Sequence, residues 1–260
     1  MARSLKAYAL ASAVAIAAAA GSFRQDAEAL VQVGAAVERY DPGACRCLEW
    51  NDVYTTRGVE CGDGQELTWT TVGDQNKSML LKKFCTGFYK KLYSRMCVNH
   101  HFETQSTEQW CYVSADCKNL NGGGAVGGIQ WKVCTPGSDN LMRVKTPQQL
   151  VKIAEMQAKD VGLFFKMAYP TYEKGLMWPD VEKCLNKGAS QAKCGEIERV
   201  QAEKNAVLFN SKDATAPFGV VQGSSIMEVH YSEETVATGQ DPLAQALMLS
   251  RYACRAGCHK

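Results

Sequence analysis

Sulfur is the feature that most restricts what this chain can become, because its 260 residues carry twelve cysteines. Reducing compartments seldom accumulate thiols at such density, so an even count of this size predicts a disulfide framework formed in an oxidising compartment. Cys45, Cys47, Cys61, Cys85, Cys97, Cys111, Cys117 and Cys134 fall within ninety residues, and two separated pairs follow, Cys184 with Cys194 and Cys254 with Cys258. Cys45 and Cys47 are too close in an extended segment to bond one another, so each is expected to reach a different partner. The connectivity of the first eight stays open at this level. A mutual bond between Cys254 and Cys258 requires the chain to unwind near Gly257.

Hydrophobic residues make up 46% and charged residues 22%, which allows a real core and excludes a disordered or collagen-like chain. Formal charge is +2, and setting aside Arg3 and Lys6 leaves basic and acidic side chains equal in number. No nucleic-acid partner is expected from that balance. Arg3 and Lys6 precede the uncharged run Ala7 to Ala20, the pattern of a signal peptide or signal anchor over residues 1–22. Retained, residues 5–23 would offer membrane contact. Either way the chain beyond Phe23 is expected across a membrane, in the extracellular space or an organelle lumen.

The expected fold class is α+β. A short helix and linker span residues 23–43 and end at Asp41-Pro42-Gly43, a disulfide-rich mixed domain covers 44–135, and a mainly helical region covers 136–260. In the mixed domain, Asp74 is placed to cap a helix whose apolar positions Leu80, Leu81, Phe84, Cys85, Phe88, Tyr89, Leu92 and Met96 follow helical spacing. Its other face carries Lys77, Lys82, Lys83, Lys90, Lys91 and Arg95 with no acid between residues 75 and 96. Such a face is either solvated, its stems covering core edges, or a docking surface for an acidic protein or anionic headgroups. These six residues are the candidate partner-binding site. Asn76-Lys77-Ser78 beside them is a glycosylation acceptor.

In the second region, Thr146-Pro147-Gln148-Gln149 reads as a capping box opening a helix that runs to Tyr169-Pro170. Trp178-Pro179-Asp180 opens another, Cys184 and Cys194 are expected to staple two short helices, and Ser225 to Ser232 reads as extended. Asp241-Pro242 opens a terminal helix ending near Gly257.

Motifs for catalysis are sparse. Asn121 to Gly128 contains G-x-G-x-x-G, but no helix follows to hold a pyrophosphate, so a surface loop is expected. Neither H-E-x-x-H nor G-x-S-x-G occurs among the residues. Cys97, His100, His101, Cys111 and Cys117 offer zinc-type donors without a C-x-x-C knuckle, and no metal, cofactor or catalytic residue is assigned. Trp50, Trp69, Trp110 and Trp131 are expected to pack the stapled core.

The runs Trp110-Cys111-Tyr112-Val113 and Trp131-Lys132-Val133-Cys134 locally resemble kringle and fibronectin type II modules. With Cys45-Arg46-Cys47, Trp50, Tyr54, Cys61-Gly62, Phe84-Cys85, Cys97-Val98-Asn99 and Met167-Ala168-Tyr169-Pro170, the pattern over residues 45–180 resembles a cysteine-rich family abundant in dinoflagellate algae. That resemblance implies secretory or plastid delivery and brings no established activity. The expectation is a non-enzymatic, disulfide-stabilised binding or assembly protein with a protein partner, such as an accessory subunit of a photosystem in the thylakoid lumen. A carbohydrate-binding module or carbohydrate-acting enzyme is the alternative.

Overall fold

The computed structural model describes residues 43–68, 81–186, 191–213, 216–231 and 250–258. The expected signal segment, the helix before Asp41, Trp69, Asp74, Asn76 and Lys77, and the chain from Asp241 to 249 lie outside them.

The described chain is α+β, with two four-stranded antiparallel sheets. Helix α1 (Trp50–Thr56) comes first, followed by a π-helical turn (Lys82–Thr86) and a 3-10 turn (Tyr89–Lys91). The first sheet is built from β1 (Val98–Asn99), β2 (Gln109–Val113), β3 (Gly124–Val126) and β4 (Ile129–Val133) in the order β1-β2-β4-β3. Then come α2 (Pro147–Met156), α3 (Val161–Ala168), α4 (Trp178–Leu185) and α5 (Gln191–Glu203). The second sheet runs in sequence order through β5 (Val207–Phe209), β6 (Phe218–Gln222), β7 (Ser225–His230) and β8 (Arg251–Ala256).

All twelve cysteines are paired. Cys45 bonds Cys117, Cys47 bonds Cys111, Cys61 bonds Cys85 and Cys97 bonds Cys134. Cys184–Cys194 ties α4 to α5, and Cys254–Cys258 closes the end of β8, where Gly257 takes φ +61°. Cys45 and Cys47 thus reach different partners, as their spacing requires.

One apolar core takes Trp50, Tyr89, Trp110 and Tyr112 from the cysteine-rich stretch together with Phe164, Phe165, Val220 and Val229 from the later one. Trp50 and Trp110 meet edge to face at 4.8 Å between ring centres, a geometry that matches ring edge to ring face. The buried amides of Asn99 and Gln109 bolt the first sheet to α3. Asn99 donates to the Lys166 and Tyr169 carbonyls, and Gln109 donates to the Ala168 carbonyl and to Asn99 Oδ1. They supply donors that the last turn of a helix cannot find within itself.

Four expectations are corrected. The apolar stripe from Leu80 to Met96 does not form one helix, because regular helix stops before the 3-10 turn at Tyr89. The carbonyls of Lys90, Leu92 and Ser94 are needed elsewhere, accepting from Asn51 Nδ2, Asn51 N and Trp50 N at the start of α1. A continuing helix would consume such carbonyls internally. The helix opened by the Thr146 capping box ends at Met156, and a second starts at Val161. Ala158 reverses the chain at φ +50°, and Asp160 caps α3 by accepting from Leu163 N. Arg251 to Ala256 is strand rather than terminal helix, and the later region carries a whole sheet besides its helices. Within the expected loop, Gly124 to Val126 form a strand that pairs with Ile129 to Trp131 of β4.

Candidate functional site

The helix expected to carry the six basic residues is interrupted by the 3-10 turn at Tyr89–Lys91. Lys77 lies outside the described residues, and Lys82 and Lys83 fall in the π-helical turn, where only the backbone is described. Lys90 and Lys91 are exposed on the 3-10 turn, and Arg95 is exposed on the irregular stretch after it. Folding brings Lys91 close to a cation that helical periodicity did not single out, Lys159.

Lys159 owes its place to the way α2 ends. Ala158 N donates to Glu155 O and Lys159 N to Ala154 O, the two reversed bonds of a Schellman motif with Ala158 at its left-handed position. An apolar residue normally follows that position; here it is Lys159, which is 8% exposed. Burial, and next the charge of Lys91, hold its ammonium below the ordinary lysine range.

Beside it opens a cavity of about 540 Å³ lined by Glu155, Ala158, Lys159, Val161, Arg251 and Tyr252 together with Ser250. Ser250 fixes the far wall: its hydroxyl donates to Asp160 Oδ2 and accepts from Gly162 N. Gly162 permits this approach, since a β-carbon there would fall 2.6 Å from the Ser250 hydroxyl. Glu155 is occupied by the Tyr252 hydroxyl at 2.9 Å. Among the described residues, no carboxylate lies within ion-pair distance of Lys91, Lys159 or Arg251. Exposed Tyr93 and Met156 border the same surface, joined where Gln157 donates to the Tyr93 carbonyl.

A second cluster sits at the loop end of the β1–β2 hairpin. Asn99 pairs with Gln109, and His100 N donates to Glu108 O, so His100 and His101 face Glu108 across the turn. His100 Nδ1 and His101 Nε2 lie 3.6 and 3.5 Å from Glu108 Oε2. Burial and then His101 lower the His100 pKa, and Glu108 opposes them. Of the zinc-type donors read from the sequence, Cys97, Cys111 and Cys117 are in disulfides, leaving the two histidines. The cavity cations and Glu108 were missed because only the helix break and the hairpin register bring them into place.

A third group is closed. The Glu66 carboxyl is fully buried and accepts from Tyr54 and Tyr112 at 2.7 and 2.6 Å and from Gly64 N. Burial raises its pKa against the pull of these hydrogen bonds. With no opening to solvent it is a strut of the core, not an acid presented to a sugar. Trp50, Trp110 and Trp178 are likewise buried, and Trp131 is half-buried.

Among the described residues no helix is long and apolar enough to cross a membrane. Set against family models, curated proteins and solved structures, the chain matches none.

Proposed function

We propose that this chain is a non-enzymatic, disulfide-stabilised binding or assembly protein of an oxidising compartment, lumenal or extracellular, which docks an acidic segment of a protein partner. The observation that carries this reading is Lys159: a buried cation beside Lys91, opening with Arg251 into a cavity whose one carboxylate among the described residues is already taken by Tyr252. A desolvated positive charge that no carboxylate of the described residues neutralises opposes folding, and an incoming carboxylate relieves the cost. Exposed Tyr93 and Met156 add apolar contact at the rim, as protein interfaces do. The resemblance to the algal family suggests where such a partner would be found, a membrane complex of the thylakoid lumen in which the chain would be an accessory photosystem subunit.

The test is anisotropy of a labelled Asp- and Glu-rich peptide with the full chain, disulfides intact. Binding should weaken at least about tenfold in high salt, and similarly in Lys159→Met and Arg251→Met but not in Lys212→Met. Equal binding by all variants overturns the proposal. So does capture of anionic vesicles or glycans by a chain that ignores the peptide.

A further inference from the structure

We infer that His100, His101 and Glu108 form a binding site for a divalent transition-metal cation, zinc in the first instance. One ligand atom from each lies within 4.8 Å of the others. Tetrahedral zinc with bonds of about 2.0–2.1 Å sets its donors about 3.3–3.4 Å apart, and the two histidine-to-carboxylate distances are 3.6 and 3.5 Å. Small side-chain rotations on a fixed hairpin close that difference.

The decisive atom is His100 Nδ1. It is shut away from solvent and has no hydrogen-bond partner. Glu108 Oε2 stands beyond hydrogen-bond reach of it, so a simple ion pair leaves this nitrogen unserved. At the other side of the ring, Gln65 Oε1 lies 3.0 Å from Nε2. That oxygen accepts the Nε2 proton and fixes the tautomer, which turns the Nδ1 lone pair toward His101 and Glu108. Metal-bound histidines are held by such an outer partner.

The scaffold is rigid where the site needs it. The Asn99–Gln109 amide pair closes the hairpin next to the site, Cys97–Cys134 ties down the chain two residues before Asn99, and the His100 ring packs 5.3 Å from Trp131. On the outer side, the His101 and Glu108 side chains are 43% and 55% exposed. Three protein donors with an open fourth position leave room for water there, unlike the closed four-ligand sites of purely structural zinc.

Chelator-treated, disulfide-intact full chain should bind one Zn²⁺ per molecule in calorimetry, and Co²⁺ should give the visible absorption of a tetrahedral centre. His101→Ala and Glu108→Gln, both on exposed side chains, should each weaken Zn²⁺ by at least about tenfold, and Gln65→Ala by about 10–100-fold. Near-ultraviolet circular dichroism unchanged in these variants confirms that the fold is kept. Absence of Zn²⁺ binding at about 100 µM, far weaker than a three-ligand site should be, overturns the assignment. So does affinity unchanged in the His101→Ala, Glu108→Gln double variant.

Discussion

Gly219 lies flat against the indole of Trp178: a β-carbon on residue 219 would fall 2.0 Å from one ring carbon and 2.4 Å from the next. Trp178 is fully buried at the start of α4, and Gly219 is in β6, so this contact seats a helix on the second sheet. Gly219→Ala should cost about 1–3 kcal/mol through overpacking. The check is a denaturant midpoint shifted downward with an unchanged slope. A midpoint equal to the parent's would mean that the ring moves aside freely.

The disulfides should differ in worth by the length of chain each closes. Removing Cys45–Cys117, which spans 72 residues, should cost about 4 kcal/mol, against about 3 for Cys184–Cys194 across 10 residues and about 2 for Cys254–Cys258 across 4. Guanidinium unfolding of the three double-alanine variants reads the order directly.

Glu66 should make stability depend on pH. Its carboxyl titrates higher in the folded chain than in the unfolded one, so its ionisation opposes folding. The favourable contribution is complete below the unfolded glutamate value of about 4.3 and is lost as pH rises through the folded value. Glu66→Gln stays neutral throughout. In urea, the parent should lose stability relative to that variant as pH rises above the unfolded value of about 4.3; a constant gap would show that the carboxyl does not change charge there.

Ala158 holds a left-handed conformation that costs a residue with a β-carbon more than it costs glycine. Ala158→Gly should therefore raise stability by about 0.5–1 kcal/mol, seen as a higher melting temperature with the cavity beside Lys159 preserved.

What could be read from the sequence was whatever is decided over a few residues. The Thr146 and Gln149 side chains make the reciprocal capping bonds expected of them, and Asp180 caps α4 by accepting from Met177 N. The split destinations of Cys45 and Cys47 follow from their spacing alone. Tertiary demands escaped that reading. The turn at Ala158 has no sequence signature because alanine is a poor left-handed residue, and with it went Lys159. β8 pairs with β7 across a long separation, so local periodicity assigned Arg251 to Ala256 to a helix. Glu108 joins two histidines only through the register Asn99 to Gln109. Residues 82–95 do not run on as one helix because the start of α1 competes for the backbone of residues 90–94.

Two of the bridges touch. Cys47 Sγ lies 3.7 Å from Cys97 Sγ and 4.0 Å from Cys134 Sγ, although Cys97 and Cys134 are bonded to one another and Cys47 to Cys111. Reach therefore does not sort the native couple from its rivals in this quartet, and a thiolate freed at any member would have a neighbouring bridge to attack. Fidelity has to come from the order of assembly: strand β2 and the indoles around it must settle before oxidation is final, or the chain must be proofread by an exchange catalyst during maturation.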